Sequence, residues 1–278
     1  MIEWARLSRV GGSTSAIGSS LLGSLLSQGT IFDHIVVGII SFCLFCGGMI
    51  MNDLFDVEKD RAMRPNRPLP SGKISLADAK KALFTLVFIT IVLAVSLKVD
   101  QMITVVLTWL AIYGYNGPLK SQPFLAGFSL ATARASNFMI GLSFTNALPT
   151  PEMPFPILAI PALAIFLHTI SILIYSKGED LEGPVPKGAW ITQCLIFLLL
   201  CKWSPISAGI WILSVFIILY VHKAENKMIR IKGVGWMVNA FCLLDACVLI
   251  GTTLQSYVPI FFILLFLGRW ISRRFPAG

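Results

Sequence analysis

The sequence carries little charge for its length. Only 13% of its 278 residues are Asp, Glu, Lys or Arg, whereas 56% are hydrophobic, and the mean hydropathy is +0.79. Soluble domains carry about 25% charged residues, so this chain has too little charge to cover a globule in water. The deficit excludes an ordinary soluble fold and indicates a protein embedded in lipid.

Other features are also missing, and each absence narrows the class of protein. No polar linker, low-complexity tract or internal repeat divides the chain, so residues 1–278 are predicted to form a single domain. The cysteines lie in or beside apolar runs and suggest packing, because the zinc-like Cys43-x-x-Cys46 spacing has no second pair. There is no P-loop, dinucleotide-binding glycine pattern or nucleophile elbow. We also expect no removable signal peptide.

The chain consists mainly of apolar runs separated by polar segments. Several runs are shorter than the roughly 20 residues that a spanning helix needs, so we predict an all-α membrane bundle of nine to ten transmembrane helices. The first run is rich in Gly and Ser, which let helices approach closely in lipid, and it is predicted to be an interior helix. The runs cover residues 10–28, 31–51, 77–97, 101–116, 124–146, 154–175, 189–203, 206–222, 235–254 and 257–272.

The basic residues are unevenly distributed between the two sides of this predicted bundle. If the N-terminus is cytoplasmic and the runs alternate, 19 of the 22 Lys and Arg residues fall on one side. Only Lys98 and Lys202 fall on the other, and Arg134 lies inside a span. This is the positive-inside pattern, so the net charge of +8 reflects topology and attraction to anionic membrane lipids. We expect no nucleic-acid partner, and we place the chemistry at the cytoplasmic face of the cell membrane.

An acidic segment closes the second apolar run. Asn52, Asp56 and Asp60 are spaced four residues apart, and four residues advance the direction around a helix by about 40°. Their side chains therefore form a ladder on one face, with Asp53 near its edge. Such oxygen ligands suit Mg²⁺, which completes its shell with water and substrate phosphates. The alternative is a solvated helix end balanced by neighbouring Lys and Arg residues.

A rigid basic segment follows the ladder. Arg61, Arg64, Arg67 and Lys73 lie in a stretch stiffened by three prolines. Arginine suits bidentate contact with phosphate, so a ladder followed by this loop can hold a metal and a diphosphate together. An anchor to anionic lipid headgroups is the alternative.

The stretch from Asn52 to Ser75, NDLFDVEKDRAMRPNRPLPSGKIS, closely resembles the first aspartate-rich signature of the UbiA superfamily of intramembrane prenyltransferases. It is especially similar to the archaeal branch that alkylates geranylgeranylglyceryl phosphate. A second match is YNGPLK, from Tyr115 to Lys120, which is similar to the family's Y-x-x-x-L-K. The resemblance implies Mg²⁺-dependent transfer of a prenyl group from a prenyl diphosphate to a lipophilic acceptor, either geranylgeranylglyceryl phosphate or an aromatic compound.

The resemblance also implies roles for individual residues in the two motifs. The implied metal ligands are Asn52, Asp53, Asp56 and Asp60. The implied substrate ligands are Arg64, Arg67, Tyr115 and Lys120. Catalytic roles are implied for Asp56, Asp60 and Lys120.

The family's second signature is irregular in this chain. It normally carries two aspartates four residues apart, but here Asp180 matches one of them and Pro184 stands at the other position. Lys177 occupies a place where the archaeal branch often has an acid. Asp180 is therefore either a catalytic ligand of a second Mg²⁺ or the ion partner of Lys177, which would then bind the diphosphate as a point charge. The sequence favours the second alternative, because Pro184 would break a helical ladder.

Arg134 and Asn137 share one face of a predicted span. Arginine is costly inside a membrane and usually faces a cavity or a partner. Together with His168 and residues 176–177, this pattern resembles a divergent UbiA branch that includes the Ebo-cluster proteins of bacteria. Two interpretations stay open: Arg134 pairs with Asp245 or a helix carbonyl, or Arg134 and Asn137 contact substrate. His168 is expected to make a hydrogen bond in the core.

Two other functions are compatible with this sequence. One is a UbiA-type cyclase, which ionises a prenyl diphosphate without transferring it to an acceptor. The other is a transporter, because buried charges such as Arg134 and Asp245 also mark transport paths. Transport is disfavoured because the polar residues concentrate at one membrane face and no inverted repeat is detectable.

The topology can be tested by cysteine labelling. In a cysteine-free background, a single cysteine at position 62 should be protected from a membrane-impermeant maleimide added outside intact cells, because residues 52–75 and 176–188 are predicted to be cytoplasmic. A cysteine at position 98, on the opposite side, should react. Labelling at position 62 in intact cells would refute the orientation.

Overall fold

Helices account for nearly all of the described backbone. The computed structural model describes residues 1–142, 155–177, 186–221, 227–250 and 252–276, and within these ranges it contains no β-strand. A 3₁₀ turn, Gln255–Tyr257, precedes the last helix. The α-helices are α1 (Ile2–Leu7), α2 (Val10–Leu26), α3 (Ile31–Phe55), α4 (Val57–Met63), α5 (Leu76–Ala94), α6 (Val99–Asn116), α7 (Pro123–Gly141), α8 (Phe155–Lys177), α9 (Lys187–Trp203), α10 (Pro205–Val221), α11 (Lys227–Ile250) and α12 (Val258–Arg274).

Two of the long helices begin at side-chain caps that are visible in the sequence. Thr30 precedes α3, where its hydroxyl accepts a hydrogen bond from the Asp33 amide while the Asp33 carboxylate accepts one from the Thr30 amide at 2.7 Å. Ser75 caps α5 in a similar way by accepting from the Asp78 amide at 3.0 Å. Such caps satisfy amide groups that have no partner within the helix. They set the start of the helices that flank the acidic segment.

Helix α2 is an interior helix, as its Gly and Ser content predicts. It packs against α3, α7, α11 and α12, and most of its residues are buried. The approach to α7 is close: a methyl group on Gly141 would overlap the Ser20 carbonyl oxygen, and one on Gly23 would overlap the Phe138 carbonyl oxygen. Small residues on both helices therefore permit backbone-to-backbone contact.

Four segments within the described ranges are long and apolar enough to cross a membrane. The prediction of an all-α fold is confirmed, but the predicted count of nine to ten spans is not. Helices α2 and α9 are only 17 residues long, and polar or charged residues near the ends of α5 and α6 dilute their apolar character. The four segments are Ile31–Phe55, Leu158–Ser176, Gly233–Ile250 and Gln255–Arg274.

The apolar core is divided around a cavity. The largest buried cluster contains residues of α2 and of every helix from α7 to α12. A second cluster joins α3 with α6 and α7. A third, smaller cluster seats α1 and the segment after α4 against α3 and α5. Between them lies a cavity of about 540 Å³, walled by α2, α3, α6, α7, α8, α11 and α12.

The close contact between α2 and α7 can be tested by adding one methyl group. Gly141→Ala should lower the thermal unfolding midpoint in detergent, because overpacking against a fixed backbone atom costs about 1–3 kcal/mol. Gly209→Ala, in α10, is the matched control: no atom lies within 4 Å of its added methyl group. It should leave the midpoint unchanged or raise it, since alanine favours helix. Equal midpoints for both variants would contradict the close packing.

Candidate active site

The acidic ladder lies on a nearly continuous helical path. Asp56 caps the end of α3 and the start of α4. The Asp56 amide donates to the Asn52 carbonyl at 3.0 Å, and the Asp60 amide donates to the Asp56 carbonyl at 2.8 Å. These i to i−4 bonds maintain the helical spacing across the junction. The side chains of Asp53 and Asp60 are each 5% exposed, whereas that of Asp56 is 21% exposed.

Two arginines neutralise the buried acids. Arg67 Nη1 lies 2.6 Å from Asp60 Oδ2 and 3.6 Å from Asp53 Oδ1. Arg9 Nη2 lies 2.9 Å from Asp53 Oδ1. Burial lowers the pKa of Arg9, and the Asp53 carboxylate acts in the opposite direction. Removing one partner from a buried ion pair costs about 3–5 kcal/mol, so these contacts hold the acidic segment against the start of α2.

Arg9 adopts an unusual backbone conformation at this contact. Its φ and ψ are 47° and 46°, in the left-handed region that most side chains avoid. Its Nη1 also lies 3.3 Å from the sulfur of Met49 on α3. Strained backbone of this kind persists only where surrounding contacts enforce it. The Arg9–Asp53 ion pair is one such contact.

Lys120 binds the remaining two oxygen ligands. Its Nζ lies 2.6 Å from Asp56 Oδ2 and 3.3 Å from Asn52 Oδ1. Two oxygens on successive helical turns therefore converge on one cationic position. This arrangement brings the first predicted motif, Asn52 to Asp60, into contact with the second, Tyr115 to Lys120.

The chemistry of these ligands fits Mg²⁺. The ion commonly takes one or two carboxylates and completes its shell with water and phosphate oxygens. Asn52 and Asp56 supply oxygens that already point at one cation, the Lys120 ammonium. In the part of the chain that the structure describes, no three His, Cys, Asp or Glu side chains form a metal-binding group. Of the implied ligands, Asn52 and Asp56 already share one cation, whereas Asp53 and Asp60 are paired with arginine in this structure.

The basic segment after α4 folds back on itself. The Arg67 amide donates to the Arg64 carbonyl at 3.1 Å, and the Ile74 amide donates to the Pro68 carbonyl at 3.2 Å. Gly72 supplies the positive φ of 72° that this turn requires. The Arg64 side chain is 56% exposed and its Nη1 lies 3.9 Å from Asp60 Oδ1. Arg64 is therefore available at the surface, whereas Arg67 is paired with the two buried acids in this structure.

The cavity connects to the acidic cluster. Tyr115, Arg134 and Asn137, three of the predicted substrate residues, line it, and so does Arg9, which contacts Asp53. Most of the remaining lining side chains are apolar and come from α3, α6, α7, α8 and α11. A mostly apolar cavity that adjoins a charged cluster suits an amphiphile.

Arg134 does not form the predicted ion pair with Asp245. No contact within 4 Å joins the two, and Asp245 Oδ2 instead accepts a hydrogen bond from the Ser19 hydroxyl at 3.1 Å. Arg134 Nη1 donates to Ser15 Oγ at 3.2 Å. Its guanidinium lies against two aromatic rings, with centroid distances of 5.3 Å to Phe45 and 4.8 Å to Phe241. Cation–π contacts take the place of the carboxylate partner.

Asn137 joins three helices. Its Oδ1 accepts from the Ser41 hydroxyl at 2.7 Å, and its Nδ2 donates to the Ala16 carbonyl at 2.8 Å. The amide therefore ties α7 to both α3 and α2. Its role as a substrate ligand stays a prediction.

His168 makes the predicted hydrogen bonds in the core. Its Nε2 lies 2.9 Å from the Met237 carbonyl oxygen, and its Nδ1 lies 3.1 Å from Gln193 Nε2. The prediction of a structural histidine is confirmed. The second signature is different: Asp180 and Pro184 lie outside the described residues, as does the side chain of Lys177.

The cavity wall also contains residues for which no site role was predicted from the sequence, among them Arg9, Asn239 and Arg269. Arg9 and Arg269 were interpreted only as part of the basic cytoplasmic side, and Asn239 lies in a segment where hydropathy was the only signal. Their placement depends on how distant helices pack, which no local pattern encodes.

Comparison with known proteins identifies the fold family. Residues 16–186 match the profile of the UbiA prenyltransferase family. The chain belongs to this family. It is accordingly an integral membrane protein, in agreement with its apolar helices.

Curated relatives of this UbiA chain include archaeal enzymes named digeranylgeranylglyceryl phosphate synthase. The protein from Sulfurisphaera tokodaii is 36% identical over 159 residues, which is 57% of this chain and 54% of the relative. The protein from Saccharolobus solfataricus is 30% identical over 189 residues, 65% of this chain and 64% of the relative. The matched region thus spans between half and two thirds of these relatives' lengths.

Solved structures of UbiA homologues share the fold. A homologue from Aeropyrum pernix K1, solved in the apo state, gives a TM-score of 0.66 at 16% identity, covering 92% of this chain and 98% of that one. A homologue from Archaeoglobus fulgidus bound to GPP and Mg²⁺ gives 0.55 at 16% identity, covering 97% and 99%. The UbiA-like helical architecture is therefore confirmed.

The convergence of two oxygens on Lys120 can be tested by metal binding. Lys120→Ala removes the competing ammonium, so the affinity for Mn²⁺ in the absence of substrate should rise about tenfold, the equivalent of one charge-assisted contact. Titration followed by electron paramagnetic resonance measures the free Mn²⁺. Lys81→Ala, an exposed lysine 3.9 Å from Asp78, is the control. Unchanged or weaker Mn²⁺ binding in Lys120→Ala would show that Lys120 does not occupy the metal position.

Proposed function

We propose that this protein catalyses Mg²⁺-dependent transfer of a prenyl group from a prenyl diphosphate to a lipophilic acceptor within the membrane. One observation carries the proposal. The Asn52 and Asp56 oxygens converge on one cation beside a basic segment. Arg9, which pairs with the adjacent Asp53, lines a mostly apolar cavity of about 540 Å³. A diphosphate with a hydrocarbon tail has the same division between charged and apolar parts.

Cationic and apolar residues act on different parts of the substrate. Breaking the allylic C–O bond leaves a carbocation on the prenyl chain and an anionic diphosphate. Arg64 is exposed, so its guanidinium can reach the departing diphosphate. Lys120 and Arg67 can release the aspartate carboxylates that they contact and bind the diphosphate instead. Bound Mg²⁺ would neutralise charge developing on the leaving group. The apolar walls exclude water from the carbocation.

Lys120 and Arg67 have two roles under this proposal. Without substrate they neutralise Asp56 and Asp60, at 2.6 Å in each case. Asp56 and Asp60 would hold Mg²⁺ when it is bound, and Lys120 and Arg67 would then be available to pair with the diphosphate. In the second polar loop, we propose that Lys177 contributes a further positive charge and that Asp180 supports it.

The comparisons support a lipid acceptor. The relatives from S. tokodaii and S. solfataricus are named for the synthesis of digeranylgeranylglyceryl phosphate, which makes geranylgeranylglyceryl phosphate one acceptor to test, beside an aromatic compound. The A. fulgidus homologue was solved with GPP and Mg²⁺. The positive-inside charge pattern supports nine to ten spans with the site at the cytoplasmic face of the cell membrane.

The metal ligands can be tested with isosteric variants. Asp56→Asn and Asp60→Asn should each abolish Mg²⁺-dependent release of diphosphate from a prenyl diphosphate, because each removes one negative charge. Asparagine is preferred to alanine because Asp60 is buried against Arg67. Glu58→Gln is the matched control on the same helix, since Glu58 is exposed and paired only with Arg61 in the described contacts. Wild-type turnover in Asp56→Asn would exclude the proposed role.

Product analysis separates the possible reactions. Purified protein should be incubated with Mg²⁺ and prenyl diphosphates of several chain lengths, with and without each acceptor. Mass spectrometry should detect the acceptor plus one prenyl group. A hydrocarbon or alcohol formed equally well without acceptor would indicate cyclisation or hydrolysis and would contradict prenyl transfer.

A further inference from the structure

The cavity has a measurable depth below the acidic cluster. Asn137 of α7 lines it, and its side-chain amide accepts from the Ser41 hydroxyl at 2.7 Å and donates to the Ala16 carbonyl at 2.8 Å. Ser41 therefore marks the level of the deep end on α3. Between Ser41 and Asn52 this helix rises about 16 Å, at about 1.5 Å per residue. Leu44, the deepest of the α3 residues that line the cavity, lies about 12 Å below Asn52 on the same scale.

Hydrogen bonds and packed apolar side chains close the deep end. Thr108 of α6, which also lines the cavity, donates to the Ser136 hydroxyl of α7 at 2.8 Å. Beyond this level, Ile40 and Ile140 are fully buried in one core cluster. Four helices are thus joined at the depth where the cavity stops. The lining residues at this level, which we name the cavity floor, are Ala16, Leu44, Thr108 and Asn137.

Helix contacts also narrow the seams beside the cavity. Between α3 and α6, a methyl group added to Gly47 would overlap the Trp109 ring. Between α7 and α8, the rings of Phe128 and Phe166 pack edge to face with centroids 5.3 Å apart. Between α2 and α12, Gly268 packs directly on the α2 backbone. The direction from the acidic cluster to the floor is therefore the path that the structure provides for a long apolar tail.

The depth of this path can be compared with the length of a prenyl chain. An extended isoprene unit contains four carbon–carbon bonds of about 1.5 Å each and spans about 5 Å. Three units reach about 15 Å, which is close to the rise of about 16 Å between Asn52 and the level of Ser41. Four units reach about 20 Å and exceed it. A longer tail has to bend back toward the cluster or leave carbons outside the cavity.

We propose that the cavity floor sets the length of the prenyl chain that the protein accepts, with about three isoprene units, or fifteen carbons, as the limit. This rests on the proposed function, in which the diphosphate binds at the acidic cluster and its tail extends toward the floor. Ala133 lines the cavity one helical turn above Asn137, and Leu44 closes the floor on α3. The sizes of these two side chains determine how far the tail can extend.

The limit can be measured on the wild-type protein. Equilibrium binding of prenyl thiodiphosphates, which are slowly reacting analogues, is measured with Mg²⁺ in maltoside detergent for chains of ten, fifteen and twenty carbons. The free concentration of each analogue is corrected for its measured partition into detergent. We expect the affinity to fall about tenfold from fifteen to twenty carbons, equivalent to one or two methylene groups that stay unburied. A twenty-carbon analogue that binds as tightly as the fifteen-carbon one would overturn the proposal.

Two substitutions should move the limit in opposite directions. Ala133→Leu fills space above the floor, so the fifteen-carbon analogue should lose about tenfold relative to the ten-carbon one. Leu44→Ala opens space at the floor, so the twenty-carbon analogue should gain about tenfold relative to the fifteen-carbon one. Each ratio compares ligands on the same folded fraction, so partial unfolding does not change it. A general loss of stability would not shift the two ratios in opposite directions.

Matched controls exist on the same helices or the same face of the membrane domain. Ala135→Leu adds the same volume to α7 at a position that does not line the cavity, and Leu107→Ala removes the same volume from α6 at a side chain that is 53% exposed. Both should keep the wild-type chain-length profile. A wild-type profile in Ala133→Leu and Leu44→Ala as well would overturn the proposal, and the wild-type series decides where a variant fails to fold.

The same measurements separate this proposal from the proposed function. If all chain lengths bind equally well, the floor does not set the length, whereas the diphosphate binding that prenyl transfer needs is retained. If the fifteen-carbon limit is found and no prenylated acceptor is formed, the floor proposal stands and prenyl transfer fails. If no analogue binds to the wild type in the presence of Mg²⁺, both proposals fail.

Discussion

The bundle depends on the direct contact of the α2 backbone with its neighbours. Lipid removes most of the hydrophobic drive for helices to associate, so association relies on van der Waals contact and hydrogen bonds. Gly23 and Gly141 bring α2 and α7 into backbone contact, and Gly11 and Gly268 do the same between α2 and α12. With one thin helix at the centre, α7, α11 and α12 can all present side chains to the same cavity.

The hydroxyl groups of α2 are satisfied within this tight packing. Ser13 donates to the Val10 carbonyl and Ser15 to the Gly12 carbonyl, each at 2.7 Å. Ser19 reaches across to Asp245, and Ser15 also accepts from Arg134. Helix α2 has many polar residues for a membrane protein, but because its hydroxyl groups are hydrogen-bonded it is suited to the interior of the bundle. Ser15 binds Arg134 and Ser19 binds Asp245, so these two buried side chains are held in position without a direct contact between them.

Charge balance organises the end of the bundle that carries the acidic segment. The acids of one short segment are matched by cations from three separate places in the sequence, namely Arg9, Arg67 and Lys120. Burying unpaired charges would be costly, so each acid adopts the orientation that its cation imposes. Under the proposed function, a metal ion would replace the ammonium and guanidinium groups on the acids, and these groups would bind the diphosphate, so that no buried charge is left unpaired.

The sequence predicted those parts of the site that depend on local spacing. Asn52, Asp56 and Asp60 follow helical periodicity, so their ladder could be derived without a structure. The partner of Arg134 could not, because the choice between Asp245 and Ser15 depends on how α2, α7 and α11 rotate against one another. Arg269 was missed for the same reason.

The span count shows a second limit of sequence reasoning. Interior helices such as α2 contain glycine and serine where packing and polar contacts require them, and this lowers their hydropathy. Short helices also make the spans hard to count, because α2 and α9 have only 17 residues each. The all-helical membrane class was clear from composition, because the low fraction of charged residues does not depend on the length or hydropathy of any single helix.

The internal cations also bear on how the protein is made. Because Arg9, Arg67 and Lys120 already balance the acidic segment, the nascent chain can insert into the bilayer and reach its final shape before any divalent ion arrives. Under the proposed function, the ion would then be an exchangeable partner in the reaction and not a scaffold. Removal of magnesium would stop the reaction without unfolding the protein.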